Sequence, residues 1–403
     1  MARVPPRSRP GQVTPAKKGL LVPIGATALA ALVAGAALSP PCAAGTVEVI
    51  QQGDGPLIDA QLGEAAWPDK AALTERIADA IRASIADRYP PDHRPARRDA
   101  HPKAHGCVRA EFRVEADLPE SLAHGVFLPG AAYRAWIRFS NGNGDATRPD
   151  IRGDARGMAI KLTGVPDEKL LASEHDATTQ DFILISNPTF FADDPARYAK
   201  LIERGTSKNP FVAASAPLAL GWKGLMIARE TAAKKIASPL ETRYWSTVPF
   251  SLGAGPDRQA VKYSARPCTP GTSSIPTDPG PDYLREAMAR TLEAGDACFD
   301  FLVQPRAGDW MSVEDSRTEW AEAEAPFVKV ATITIPRQGF SAPTQDAFCE
   351  NLSFTPWHSL PEHRPLGGMN RVRRVVYEAV SGLRHYLNGT ERREPSGDEV
   401  FPS

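Results

Sequence analysis

The sequence predicts an α+β fold: an antiparallel β-barrel or sandwich with packed helices. Three observations lead there. Seven short strand-like runs recur: Val108–Val114, Tyr133–Phe139, Met158–Leu162, Phe182–Ile185, Ala260–Tyr263, Phe299–Val303 and Val328–Ile335. Pieces such as Arg113-Val-Glu115 and Arg134-Ala-Trp136-Ile-Arg138 alternate polar with apolar, as antiparallel strands with one buried face do. The 38 prolines imply long irregular links and argue against a helical bundle or a repeat array. Many short strands with such links close into a barrel or stack as a sandwich.

The chain has 403 residues, 42% hydrophobic and 24% charged, which is ordinary for a globular protein. Its net charge of -1 gives no bulk electrostatic case for a nucleic-acid partner. The first element is a targeting segment, expected over 1–44. Arg3, Arg7, Arg9, Lys17 and Lys18 form a basic start, Gly19 to Leu38 is apolar, and Ala43, Ala44 and Gly45 offer a signal-peptidase site. This predicts export, to the periplasm, with cleavage. The apolar run is also near the minimum for a membrane span, so an uncleaved anchor, and with it membrane proximity, is the alternative.

Residues 45–97 form a helical lead. Within it Leu73, Ile77, Ala80, Ile81 and Ile85 recur at helical spacing, predicting a helix over 69–89 that the prolines from Pro90 to Pro95 end. The strands and the remaining helices fill 98–390. Helical patterns lie between Pro195 and Ala237 and again at the C-terminal end. A polar, frayed tail is expected over 391–403. Leaving out Cys42, four cysteines remain, Cys107, Cys268, Cys298 and Cys349, and they allow three pairings. No Cys-x-x-Cys occurs, which removes a zinc ribbon and covalent attachment of a c-type haem.

The last helix is the most informative. Arg371 to Arg384 contains few helix breakers, and Gly389 is placed to end it. Arg373, Tyr377 and Arg384 stand four and seven residues apart and so share one face. The bland reading is a half-buried aromatic with a solvated basic rim. The chemical reading is that positive charge beside a phenol favours its anionic form, a hard ligand for ferric iron. A second cluster, Arg98-Asp-Ala-His101-Pro-Lys103-Ala-His105, leads into the Val108 strand. In isolation, histidines in such a polar turn are surface residues. An imidazole held at the start of a strand is also a group that can take and return a proton near neutral pH.

Four ordered segments together resemble the haem catalases. Arg373-x-x-x-Tyr377 with Arg384 is similar to the family's proximal motif, and Phe354-Thr-Pro356-Trp-His358-Ser-Leu-Pro361 to its Phe-x-Pro-x-His-x-x-Pro segment. Arg98-x-x-His101-x-Lys103 matches the distal segment. One extra residue and a second histidine then follow, which makes His105 the weaker distal candidate. Arg138-Phe139-Ser140 resembles the family's Arg-Phe-Ser, and Asp154-Ala-Arg156-Gly157-Met-Ala159-Ile-Lys161 its Asp-Pro-Arg-Gly-Phe-Ala-x-Lys. Asp181 to Tyr198 matches without a gap, but the family's distal Asn falls on Ile185, and Asn187 stands two residues later.

The resemblance implies a catalase-like barrel core with packed helices and no added C-terminal domain. It implies haem b, with Tyr377 as the iron ligand, His101 as the distal acid–base group, Ser140 orienting it and Asn187 as the candidate distal amide. Arg98, Arg138, Arg373, Arg384 and Tyr198 are the expected haem contacts. The activity implied is that of a peroxidase or catalase-like oxidoreductase acting on hydrogen peroxide or organic hydroperoxides. The alternatives are a fatty-acid hydroperoxide isomerase or lyase, similar to allene oxide synthase, and a haem-binding protein without catalysis. Motifs for metal-only or serine hydrolysis are absent.

Overall fold

The computed structural model describes residues 58–66 and 70–401. The expected signal segment, 1–44, lies outside the described residues. The chain forms strands β1 (Ala104–Val114), β2 (Ala132–Asn141), β3 (Arg156–Thr163), β4 (Thr179–Ile185), β5 (Tyr244–Trp245), β6 (Phe250–Leu252), β7 (Gln259–Pro267), β8 (Ala297–Pro305) and β9 (Val328–Ile335). They lie in the order β5-β4-β3-β2-β1-β9-β8-β7-β6, and a further pairing of β5 with β7 closes the sheet. Eight antiparallel strands therefore form a barrel, and the short β6 pairs with the start of β7, Gln259–Val261, while β5 pairs with Ser264 and Ala265 further along it. Closure removes the free edges that an open sheet would leave.

Inward-facing side chains fill the barrel. Phe112, Phe127, Phe182, Tyr263 and Phe301 pack ring on ring, with centroid separations of 4.9–6.4 Å. Such contacts add about 0.5–1.5 kcal/mol per pair beyond burial. The ring closes by a thin seam: one residue pair, Ile185 with Trp245, joins β4 to β5, and two pairs join β5 to β7.

Among the described residues seven helices pack outside the barrel: α1 (Lys70–Arg88), α2 (Pro195–Gly205), α3 (Pro210–Ala214), α4 (Gly221–Ala233), α5 (Tyr283–Ala294), α6 (Pro343–Asn351) and α7 (Gly368–Asn388). The apolar stripe of α1, Ile77, Ala78, Ile81 and Ile85, meets Ala199 of α2 and Val372 and Val376 of α7. That contact fixes the rotation of α7 and so the direction of Tyr377. Glu314 accepts from the first backbone N–H of α7 at 2.7 Å and from Arg371 at 2.9 Å, so acid stands at the helix N-terminus, where the dipole favours it. Gly389, with φ +61°, ends α7 in the left-handed conformation.

The tail is a correction to the expected fraying. Glu394 ion-pairs with the buried Lys161 at 2.6 Å, Trp136 donates to Glu399 at 2.9 Å, and Phe401 packs on Trp136. A lysine fully inside the protein needs carboxylates, and Asp181 and Glu394 supply them. The disulfides are Cys107–Cys349 and Cys268–Cys298. Among the described residues no helix is long and apolar enough to cross a membrane.

Candidate functional site

A cavity of about 460 Å³ lies between the β2–β4 side of the barrel and helices α2, α4 and α7. Residues from opposite ends of the sequence meet in its wall. Arg98, His101, Arg138, Ser140, Tyr198, Arg373, Tyr377 and Arg384 all line it.

Tyr377 and Arg373 stand one helical turn apart on α7. Arg373 Nη2 donates to Tyr377 Oη at 3.1 Å, its guanidinium lies over the phenol ring at 5.1 Å, and Nη1 donates to Asn370 Oδ1 at 3.1 Å. Asn370 is buried and itself donates to the carbonyls of Pro249 and Leu366, so the arginine is held from behind. This arrangement places a donor and a positive charge on the phenol oxygen, which suits that oxygen as an anionic ligand.

His101 sits just before β1 with φ +61°, a conformation uncommon outside glycine. Its backbone is held there by two contacts. The carbonyl accepts from Arg138 Nη2 at 2.8 Å, and the amide donates to the Gly142 carbonyl at 3.3 Å. Nδ1 meets Ser140 Oγ at 3.0 Å, and Nε2 makes no hydrogen bond among the described residues. Burial, followed by the positive charges of Arg138, Arg98 and Arg373, lowers the His101 pKa to about 3, so the ring is neutral near pH 7. Gly157 of β3 lies against this pair. A Cβ there would come within 2.6 Å of His101 Nδ1 and 2.8 Å of Ser140 Oγ. Thr247, with φ +60°, also lines the cavity, so two of the three non-glycine residues with positive φ among those described belong to this wall.

One end of the cavity is cationic. Glu350, from α6, meets Arg98 at 2.9 Å, Arg138 at 3.9 Å and Arg384 at 3.9 Å. Arg384 is further fixed by the carbonyls of Glu350 and Leu352, and Arg98 also donates to the Leu352 carbonyl. Three guanidinium groups therefore share one carboxylate. Burial lowers the pKa of Arg138 and of Arg384 to about 9, with neighbouring guanidinium charge adding to it in each case. Arg138 Nε is buried without a hydrogen-bond partner.

Two of the residues singled out in the sequence lie off the cavity wall. Asn187 is not part of the cavity wall: its amide nitrogen donates to the Thr189 carbonyl at 2.8 Å and to Thr189 Oγ1 at 3.2 Å within a tight turn. The amide is consumed by its own loop, and Ile185 occupies the wall instead. His105 points away from the cavity: Nε2 meets Asn141 Oδ1 at 2.7 Å, and Nδ1 lies 3.8 Å from Asp150. Tyr198 is half-buried beside Phe190 at 6.0 Å, and its removal from water raises its pKa. Sequence reasoning missed Glu350 and Thr247. Neither lies in a motif; each acts through contacts made only on folding.

A closed antiparallel barrel flanked by helices, with one cavity between barrel and helices, is the architecture of the catalase-like class. The comparisons agree. No family model matches the chain. The chain is 31% identical over 223 residues to a catalase-related peroxidase of Mycolicibacterium paratuberculosis (strain ATCC BAA-968 / K-10), covering 53% of this chain and 67% of that protein. A fungal catalase superposes with a TM-score of 0.58 at 17% identity, over 77% of this chain and 64% of that one. A bacterial catalase gives 0.55 at 18% identity, over 89% and 70%, and catalase A of Saccharomyces cerevisiae gives 0.54 at 16%, over 83% and 68%. The chain thus spans less than two thirds of the fungal catalase. It belongs to the catalase-like family.

Proposed function

We propose that the cavity holds haem b and that the protein is a peroxidase using hydrogen peroxide or an organic hydroperoxide. The observation that carries this reading is the meeting of three devices in one wall: the Tyr377–Arg373 pair, the His101–Ser140 pair, and three arginines on a single glutamate. The residues present fit the group. Tyr377 offers an oxygen ligand for iron. Arg98, Arg138 and Arg384 carry two positive charges beyond what Glu350 balances, and Arg138 Nε lacks a protein acceptor, as suits the carboxylates of a haem. Ile183, Met158, Val372 and Val376 give apolar walls.

Bound haem supplies peroxide redox chemistry that no side chain here offers. The chain's own residues do the rest. Ser140 and the Arg138 contact hold the His101 ring, and its neutral state leaves Nε2 free to take a proton from one peroxide oxygen and return it to the other. Arg373 keeps positive charge on Tyr377 Oη. Ile185 offers no hydrogen bond where a distal amide would stand, which favours peroxidase turnover over rapid dismutation of hydrogen peroxide.

The same isoleucine, with Phe190 and Phe191 nearby in the wall, supports a second reading, isomerisation or lysis of a fatty-acid hydroperoxide. Absorption spectra of the protein with haem b, before and after Tyr377→Phe, test the proposal. The expected result is loss of stoichiometric haem or a changed ferric spectrum. An unchanged spectrum at full occupancy overturns Tyr377 as ligand. Parallel assays with hydrogen peroxide and a fatty-acid hydroperoxide separate the two readings: reducing co-substrate consumed marks the first, rearranged lipid without co-substrate the second.

A further inference from the structure

Five of the ten exposed large hydrophobic side chains among the described residues fall within sixteen consecutive positions, 211–226. They are Phe211 (85% exposed), Val212, Leu218 (71%), Trp222 (77%) and Met226. The segment is α3, the short 3-10 turn Ala216–Leu220, and α4. The 3-10 turn packs against both α3 and α4 and joins them. Trp222 and Met226 stand four residues apart on one face of α4, and Leu218 precedes them in the 3-10 turn. The other face of α4 is committed inward. Gly224 lies against the Phe191 carbonyl, and Ala228, Thr231 and Ala232 line the cavity. Trp222 is thus not a core residue displaced outward; α4 has two faces, one for the cavity and one left bare.

Isolated exposed apolar residues need no explanation, but a contiguous group does. Charge says what covers this one. Between Lys208 and Lys235 the sequence carries Lys208, Lys223, Arg229, Lys234 and Lys235 against Glu230, a net of +5 - 1 = +4, in a chain whose net charge is -1. Lys208 is paired with Asp87, and Lys234 is turned inward to the Ser186 carbonyl. Lys223, Arg229 and Lys235 are exposed and lack ion-pair partners among the described residues. Bulky apolar and aromatic side chains, Trp among them, within a basic rim match the headgroup–acyl boundary of an anionic bilayer.

We propose that the α3–α4 surface docks on an anionic lipid membrane, with Phe211, Leu218 and Trp222 entering the interface and Lys223, Arg229 and Lys235 facing lipid phosphates. This surface is separate from the cavity chemistry and stands whether or not the haem reading holds. Docking there brings the helix that walls the cavity against the bilayer, so lipid-borne substrates are presented beside it.

The test uses the full chain carrying haem and co-sedimentation with vesicles. One set is pure phosphatidylcholine; the other adds phosphatidylglycerol. Binding is expected to the anionic set and to weaken as salt rises. Lys223→Glu/Arg229→Glu/Lys235→Glu should lower the partition coefficient roughly 100-fold, at about 1 kcal/mol per cation near the surface. Phe211→Ser/Leu218→Ser/Trp222→Ser should abolish binding. The charge variant alters only exposed side chains, so it keeps the test decisive if the apolar variant fails to fold; an unchanged haem spectrum and circular dichroism confirm folding. All variants share the same N-terminus, so a difference between them reads this surface. Equal binding by wild type and both variants overturns the proposal. So does a variant that leaves vesicle binding intact but converts a dimer to monomer in sedimentation velocity, since the surface would then join two copies of the chain.

Discussion

Gly157→Ala is the sharpest perturbation the geometry offers. The added Cβ would stand 2.6 Å from His101 Nδ1, 2.7 Å from Cε1 and 2.8 Å from Ser140 Oγ, whereas ordinary contact begins at 3.4 Å. The imidazole must therefore move by about 3.4 - 2.6 = 0.8 Å, and Ser140 by 0.6 Å, which separates the pair. Glycine there does not have a left-handed φ, so alanine costs nothing in backbone conformation; the whole effect is steric. A misplacement near 1 Å costs roughly 10²-fold in rate, within the 10²–10⁴-fold that general acid–base help is worth. Overpacking should also cost about 1–3 kcal/mol of stability. The assay is stopped-flow decay of the Soret band after mixing with peroxide, at equal haem occupancy. The expected outcome is a first phase slowed about 100-fold. His101→Ala should be slow by itself, and adding Gly157→Ala to it should change little, because the clash acts through His101. A single variant within threefold of wild type, with haem bound, would refute the role of this pair.

Three further outcomes follow from other contacts. Arg373→Gln removes the charged donor from Tyr377 Oη, a hydrogen bond of the class worth about 1.5–3 kcal/mol; spectroelectrochemistry should show a more negative iron potential with haem retained, and an unchanged potential would make Arg373 purely structural. Lys161→Met leaves Asp181 and Glu394 buried without their cation and should lower unfolding free energy by about 3–5 kcal/mol in denaturant titration, with the C-terminal tail becoming protease-sensitive; a loss below 1 kcal/mol would show that the tail is not latched by this pair. Acid should destabilise the fold. Burial lowers the pKa of His105 to about 4 and of His363 to about 3, so between their ordinary value of 6.5 and those limits the unfolded chain takes protons that the native chain refuses. Each such histidine removes up to about 1.4 kcal/mol per pH unit as pH falls through that window. His363 shows why: Nε2 accepts from the Val126 amide at 3.0 Å, which protonation would forbid. Thermal unfolding at pH 7 and pH 4.5 measures it, and equal midpoints would refute it.

The legible parts of this fold are those where local pattern and tertiary use agree. All seven strand-like runs lie within strands of the barrel, because each alternates or is continuously apolar. The two missed strands are the shortest, and β5, of two residues, is held by pairing rather than by its own sequence. Helix α5 was legible in principle: Leu284, Ala287, Met288 and Leu292 recur at helical spacing and are buried. Helix α6 offers only Pro343 as a start signal and buries just Gln345 and Cys349. At the site, the face shared by Arg373 and Tyr377 follows from helical periodicity alone. The fate of Asn187 does not. An offset of two residues keeps the same sheet face in a strand, but Asn187 lies beyond the end of β4, where the chain turns and Thr189 takes the amide. No periodicity reaches across that boundary.

Glu350 shows the same limit and explains how the cationic end is held together. Three guanidinium groups, Arg138 and Arg384 buried and Arg98 half-buried, would repel one another, and removal from water already lowers the pKa of Arg138 and Arg384. One carboxylate lies within 4.0 Å of all three. It stands one residue after Cys349, whose disulfide to Cys107 fastens the end of α6 to β1, the strand that His101 precedes. The carbonyls of Glu350 and Leu352, in the same turn, hold Arg384. Covalent bond, carboxylate and carbonyls thus sit in four residues, 349–352, and together position the arginines. A single glutamate is enough to keep the cluster together and too little to neutralise it. The remaining positive charge is what the proposed haem carboxylates would meet, and it sets this end of the cavity apart from a balanced buried ion pair, whose own contribution to stability would be small.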